Sequence, residues 1–241
     1  MMQATDFEFR NRWWIFGAIF GGAFFFLAFD HVPFGARLAT RLAAAGWPET
    51  RALHAVFGFS ALLMILAALV RIWGSAYLGR EVVHDAALHG ETLHAVGPYR
   101  HVRNPLYFGN MLMMFAMSFF APLAGCILIL IAMPVYTYRL IGREEAALES
   151  AQGENFRAFC RAVPRLWPSL LPRIPAGPSA PPDWLNGLAA EAFFLSFALG
   201  VVGFAVFLQI YWFYAGFVAS PLLSWLAGIA VRKPAAGAPA A

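Results

Sequence analysis

Long apolar runs without a charged residue alternate with short, arginine-rich polar segments along the chain of 241 residues. A helix needs about 20 apolar residues to cross the hydrocarbon core of a bilayer, so runs of this length predict membrane-spanning helices. The four runs cover residues 13–29, 53–70, 105–138 and 192–230. The third run is too long for one helix and contains Pro122 and Gly125. It therefore predicts a helical hairpin with arms at residues 106–120 and 123–138.

The fourth run is interrupted by Pro221. Because proline disrupts a helix interior, we predict one long helix from residue 192 to about Ser220, followed by an interfacial or re-entrant piece. Together with the two earlier spans and the hairpin, this helix gives an all-α, polytopic integral membrane protein with about five transmembrane helices.

The polar segment after the hairpin has a pattern of its own. The sequence REEAALESAQ continues the second arm of the hairpin as far as Gly153. Phe156, Phe159 and Val163 are spaced three and four residues apart, which predicts a short amphipathic helix. Seven prolines between residues 164 and 182 exclude a persistent helix there. Residues 163–175 therefore predict an extended strap along the membrane surface.

No internal repeat is visible, and we interpret the chain as one membrane domain with flanking segments. Residues 1–51 hold an N-terminal transmembrane helix and a loop, and residues 52–172 form the membrane core. Residues 173–187 are a proline-rich linker, and residues 188–241 hold a C-terminal transmembrane segment and a tail.

The composition supports a membrane protein, since 61% of the residues are hydrophobic and only 12% are charged, against about 25% charged residues in soluble domains. The net charge of +4 comes from arginines at the edges of the apolar runs, so we expect no nucleic-acid partner. Two cysteines give no framework of paired spacings. We also expect no metal site, because the histidines are not spaced as ligands on one helix face. The histidines considered, four of the six in the chain, are His84, His89, His94 and His101.

The arginines predict the orientation of the spans, because Arg and Lys concentrate in cytoplasmic loops. If the N-terminus is cytoplasmic, that side holds Arg10, Arg12, Arg71, Arg80, Arg100, Arg103, Arg139, Arg143, Arg157, Arg161, Arg165 and Arg173. The opposite side holds Arg37, Arg41 and Arg51. We therefore expect an integral protein of a bacterial inner membrane whose polar segments 71–104 and 139–190 form a cytoplasmic cofactor pocket.

Three motifs in register carry a family resemblance: GPYRHVRNPLYFG at residues 97–109, REEAAL at residues 143–148, and GENFRAFCRAVPRLWP at residues 153–168. In order and spacing they resemble the isoprenylcysteine carboxyl methyltransferase and phospholipid methyltransferase group of membrane enzymes, over residues 52–172. Asn104 stands where that family usually has histidine, and Phe156 and Phe159 replace two tyrosines. Leu140 occupies the position of the arginine that precedes the glutamates in the isoprenylcysteine enzymes.

The resemblance implies methyl transfer from S-adenosylmethionine to a lipophilic acceptor in the membrane, an isoprenylcysteine-like carboxylate or a lipid. Glutamates can accept hydrogen bonds from the cofactor, guanidinium groups match its carboxylate, and tyrosine faces suit its adenine and sulfonium. Arg139 and Arg143, which flank Leu140, are the candidates for the catalytic arginine that neutralises an acceptor carboxylate. The candidate cofactor-binding residues are Leu93, His94, Gly97, Tyr99, Arg103, Asn104, Pro105, Tyr107, Gly109, Glu144 and Glu145.

Two other interpretations of the same scaffold stay open. Membrane reductases of the sterol-reductase type resemble this family over a similar region and use NADPH. A non-catalytic membrane protein could also retain the scaffold. Binding of S-adenosylmethionine, of NADPH or of neither discriminates these three possibilities.

Overall fold

The computed structural model describes residues 3–78, 96–175 and 181–230. The described residues form α-helices joined by turns, which confirms the all-α prediction. In chain order the helices are α1 (Asp6–Arg10), α2 (Arg12–Phe25), α3 (Phe34–Ala44), α4 (Glu49–Leu78), α5 (Pro105–Ser118), α6 (Leu123–Gln152), α7 (Glu154–Ala162), α8 (Trp184–Ala190), α9 (Ala192–Phe207) and α10 (Ile210–Ala230).

Local chemistry sets several helix ends that matter for the site. Pro105 begins α5, where the missing amide hydrogen of proline costs no helical hydrogen bond. Gly153 ends α6 with a φ of 55°, a left-handed conformation that glycine adopts without a side-chain clash. The chain then turns directly into α7, so the third motif begins immediately after the long helix.

Helix α4 lies at the centre of the bundle, where it packs against α3, α5, α8 and α9. Its buried Phe57 and Met64 share a core with Met117 of α5 and with Phe194 and Phe197 of α9. A second core lies between α2, α5 and α6, around buried Ala23, Met114 and Ile129 among others. The two cores join the N-terminal, central and C-terminal helices into one bundle.

Three described helices, α4, α6 and α10, are long and apolar enough to cross a membrane, and α8 with α9 makes a fourth if that pair, bent by 67°, is one span. The sequence predicted about five membrane-spanning helices because it also counted α2 and α5, the first arm of the hairpin. Both are present as helices, but each has only 14 residues. Such helices cover about 21 Å, which is less than the core thickness of about 30 Å.

The predicted continuous helix from residue 192 to about Ser220 is wrong. The chain breaks at Leu208, which has a left-handed φ of 54°, and α9 and α10 fold back on each other around it. Gly200 and Gly216 face each other so closely that a Cβ on Gly200 would lie 2.5 Å from the Cα of Gly216. Pro221, the predicted break, lies inside α10.

The hairpin, the amphipathic helix and the absence of a helix after residue 163 are confirmed. The linker predicted at residues 173–187 lies partly outside the described residues, and α8 begins within it at Trp184. The hairpin is formed by α5 and α6, and α6 runs on to Gln152 before Gly153. The amphipathic helix is α7, whose Phe156 and Phe159 are buried together with Val163. Residues 163–175 form no helix and extend alongside the first motif, and we call this segment the strap.

Candidate functional site

The strap pairs with the first motif through the backbone. Arg103 donates its amide to the Pro164 carbonyl, Ser169 donates to His101, and Arg173 donates to Arg100, at N–O distances of 2.9, 3.0 and 2.8 Å. Residue numbers rise in the strap while they fall in the motif, so the two segments run antiparallel. This pairing holds residues 97–104, which we call the motif loop, against the strap just before α5 begins.

Glu145 is the centre of a buried polar cluster beneath this pairing. Its Oε1 accepts hydrogen bonds from Arg103 Nε at 2.9 Å and from Asn104 Nδ2 at 3.3 Å. Its Oε2 forms an ion pair with Arg165 Nη2 at 2.6 Å. Arg103 also donates to the carbonyls of Cys160 and Val163. The Glu145 carboxylate thus joins α6, the motif loop and the strap.

Glu144, the neighbouring carboxylate, has a different environment. Its Oε1 accepts a hydrogen bond of 2.7 Å from the hydroxyl of Tyr107 in α5. Within the described residues, its Oε2 accepts none. The two adjacent glutamates therefore differ, since both oxygens of Glu145 have protein partners, whereas only one oxygen of Glu144 has a partner among the described residues.

Gly97 and Tyr99 begin the first motif in a short turn, Gly97–Arg100. Gly97 has a φ of 52°, and a Cβ there would lie 2.5 Å from the Tyr77 ring of α4, so only glycine fits. Tyr99 is buried, and burial raises the pKa of its hydroxyl well above the usual value. Arg71, Glu191 and Glu144 are the charged groups that act on Tyr99.

The candidate catalytic arginines contact the N-terminal helix. Arg139 donates to Glu8 at 2.7 Å, and Arg143 lies 2.6 Å from an oxygen of Asp6. The hydrogen bond from Arg139, together with the amide of Thr5, lowers the pKa of Glu8 to about 2. Arg139 and Arg143 share one face of α6, whereas Glu145 lies about 200° around the helix from Arg143.

Leu140, between these arginines in the pattern, is fully buried against Ala4, Phe9 and Tyr136. The structure thus brings Arg103, Asn104 and Glu145 together and pairs Tyr107 with Glu144, while Arg139 and Arg143 lie at a separate contact. Leu93 and His94 lie outside the described residues.

Pro105 and Gly109 shape the start of α5. A Cβ on Gly109 would lie 2.4 Å from Cγ of Arg71, so the glycine makes room for a side chain of α4. Glycine permits the close approach of a ligand or of a neighbouring helix, and at Gly109 the Arg71 side chain of α4 uses the space.

A buried ion pair between Arg71 and Glu191 escaped the sequence analysis. Arg71 Nε and Nη2 bind the two Glu191 oxygens at 2.6 and 3.0 Å, and both side chains are at most 5% exposed. Ser75 donates to Glu191, and Arg71 donates to Asn110 and to the Leu106 carbonyl of α5. The only sequence signal is a single acidic residue directly before an apolar run, with a single arginine at the end of another.

Comparison with protein families supports the resemblance that the motifs indicated. Residues 55–155 match the family described as Phospholipid methyltransferase. No curated protein and no solved structure matches the chain significantly. The matched region includes most of α4, all of α5 and α6, and the motif loop. It therefore contains both glutamates with Tyr107, Arg103 and Asn104, whereas Arg165 of the strap lies outside it. Over residues 55–155 the chain is similar to the phospholipid methyltransferase family of membrane methyltransferases.

Proposed function

We propose that the protein transfers a methyl group from S-adenosylmethionine to a lipophilic acceptor at the membrane boundary. The observation that carries the proposal is the hydrogen bond from Tyr107 to Glu144, both of which lie within residues 55–155. This bond uses one carboxylate oxygen of Glu144, and the other has no partner among the described residues. An acidic acceptor of this kind fits the ammonium or ribose hydroxyls of the cofactor.

The position of this carboxylate supports the proposal. Helix α6 has 30 residues, which extend over about 45 Å, whereas a bilayer core is about 30 Å thick. Its charge-free part ends at Tyr138, so Glu144 lies in the turns that project beyond the apolar part. A soluble cofactor and a lipid-dissolved acceptor can meet at this level.

The bound cofactor supplies an electrophilic methyl group on its sulfonium. The protein's own contribution is alignment and exclusion of water, which lower the barrier of a direct displacement without a protein nucleophile. In this proposal Glu144 and the ring of Tyr107 contact the cofactor. Arg103, Asn104 and Glu145 hold the motif loop in place, and Tyr99 forms a buried wall.

The acceptor we propose is a lipid amine, thiol or hydroxyl rather than an isoprenylcysteine carboxylate. Arg139 and Arg143 could neutralise an acceptor carboxylate only by giving up Glu8 and Asp6. A carboxylate without a partner in an apolar pocket is costly. We therefore expect slow methyl-ester formation on acetyl-farnesylcysteine. Rapid ester formation that Arg139→Ala or Arg143→Ala abolishes would establish the opposite.

The decisive experiment measures binding of S-adenosylmethionine to the purified protein in detergent by titration calorimetry. Loss of a charge-assisted hydrogen bond is worth about 1.5–3 kcal/mol, so Glu144→Gln should weaken binding roughly 10- to 150-fold. Glu149→Gln, an exposed glutamate on the same helix, is the matched control and should bind as the parent does.

If the Glu144→Gln and Glu149→Gln variants bound S-adenosylmethionine with equal affinity, Glu144 would not be a cofactor-binding residue. Binding of NADPH instead of S-adenosylmethionine would favour the reductase, and binding of neither would favour a non-catalytic protein. Incubation with membrane lipid extracts and methyl-labelled cofactor then identifies the acceptor by the lipid that gains the label.

A further inference from the structure

The strap carries an exposed apolar patch. Trp167, Leu170 and Leu171 are 59%, 97% and 76% exposed. Leu166, directly before them, is only 2% exposed and packs into the core between α2, α5 and α6. Between residues 166 and 171 the strap therefore directs Leu166 into the bundle, and Trp167, Leu170 and Leu171 away from it.

The contacts of the strap fix the level of this patch along the bundle. Leu166 shares a core with Met111 of α5 and Ile141 of α6. The Trp167 ring lies edge-on to Phe108, with 5.9 Å between ring centroids. Phe108 is in the first turn of α5, and Ile141 lies three positions after Tyr138, where the charge-free run of α6 ends. The patch therefore lies where the hairpin leaves its apolar part.

The backbone of the strap is suited to a layer that is poor in water. Pro164, Pro168 and Pro172 have no amide hydrogen to satisfy. The amides of Ser169 and Arg173 donate to the motif loop. A non-helical segment tolerates an apolar environment only when its polar backbone groups have partners. The prolines and the paired amides reduce the number of backbone groups in the strap that would lack one.

Basic residues flank the patch. Arg100 of the motif loop donates to the carbonyl of Ile174 in the strap. Arg173, two residues after Leu171, is exposed. Tryptophan concentrates at the boundary between headgroups and acyl chains, and arginines next to that boundary extend toward the headgroups. An apolar patch with a basic rim fits a lipid surface better than it fits water.

We propose that Trp167, Leu170 and Leu171 insert into the headgroup–acyl boundary of the membrane that the helices cross. The strap is then an interfacial wedge, and it seats the motif loop at a fixed depth through the backbone hydrogen bonds of Arg103, Ser169 and Arg173. This proposal is independent of the reaction that the site catalyses.

The test is a depth measurement on the full-length chain in vesicles of phosphatidylcholine with phosphatidylglycerol. Leu170→Cys is made in a Cys126→Ala, Cys160→Ala background and carries a nitroxide label. Collisions of the label with oxygen and with a water-soluble nickel chelate report its depth. The matched control is Arg161→Cys, on the exposed polar face of α7, whose side chain is 65% exposed.

We expect the label at residue 170 to collide mainly with oxygen, at a depth near the first acyl carbons, and the label at residue 161 to collide mainly with the nickel chelate. Nickel collisions at residue 170 as frequent as those at residue 161 would refute the wedge. Shielding of residue 170 from both reagents would also refute it, because a second copy of the chain would then cover the patch.

Discussion

Two adjacent glutamates show what a single position can and cannot reveal in a sequence. Glu144 and Glu145 were equal candidates for the cofactor because both belong to the same motif. Their environments differ because α6 turns each side chain toward a different neighbour, Tyr107 for Glu144 and Arg103 with Arg165 for Glu145. The strap partners are distant in sequence, so no local pattern could separate the two roles.

The ion pair of Glu8 with Arg139 predicts a pH dependence at the residue scale. The pKa of Glu8 is lowered from 4.5 to about 2. A lowered folded-state pKa stabilises the protein above the unfolded value, and the stabilisation is lost as the pH falls through the folded value. We therefore expect the parent protein to have a higher melting temperature than Glu8→Gln at neutral pH.

The measurement is the difference in melting temperature between the parent and Glu8→Gln in detergent, followed from pH 6 downwards. The difference should shrink between about pH 4.5 and pH 2, the two pKa values of the carboxyl group. A difference that stays constant across this interval would mean that Glu8 contributes through packing and not through its charge.

At the scale of helices, periodicity and proline placement predicted the hairpin, the amphipathic helix and the strap, because each depends on residues close in sequence. The break at Leu208 left no such signal, because leucine rarely adopts a positive φ. The conformation is imposed by long-range packing of α9 on α10. Pro221 does not break α10, since prolines inside membrane helices are often accommodated by their neighbours.

The contact between α9 and α10 can be tested with a single methyl group. A Cβ on Gly216 would lie 2.6 Å from the Cα of Gly200, which forces the helices apart. Overpacking of this kind costs about 1–3 kcal/mol, so Gly216→Ala should lower the melting temperature in detergent. Gly58→Ala is the control, because a Cβ there has no heavy atom within 4 Å. Equal effects of the two substitutions would contradict the close helix contact.

At the scale of the whole molecule, a buried ion pair joins residues 55–155 to the C-terminal helices. Arg71 lies inside residues 55–155, and Glu191 lies outside them. Removing one partner of a buried ion pair costs about 3–5 kcal/mol, because the other charge stays buried without compensation. We expect Glu191→Ala to be strongly destabilised.

The double variant Arg71→Met, Glu191→Leu removes both charges and should recover most of the stability, since apolar replacements of a buried pair are often neutral. Thermal unfolding of Arg71→Met, of Glu191→Leu and of the double variant in detergent measures the coupling between the two side chains. A loss of stability in the double variant that equals the sum of the two single losses would show that the pair contributes no coupling energy.

The candidate site was predictable in part at this scale. The motifs selected a loop and a helix end that the structure brings together around Glu145, and whether they bind a cofactor stays a prediction. The environments of Gly109 and Tyr99 could not be read from the motifs, since they depend on Arg71 and Glu191, which lie 28 or more residues away in sequence.

The orientation of the molecule in the membrane remains a prediction from the arginine bias, and it bears directly on the proposed function. Arg161 lies beside the motif loop, and Arg41 lies in α3, next to the opposite end of α4. In a Cys126→Ala, Cys160→Ala background, Arg41→Cys should react with an impermeant thiol reagent applied to intact cells. Arg161→Cys should react only after the membrane is opened, because the positive-inside rule places it in the cytoplasm. The reverse labelling would put Glu144 on the side away from the cytoplasm, where a soluble cytoplasmic cofactor could not reach it.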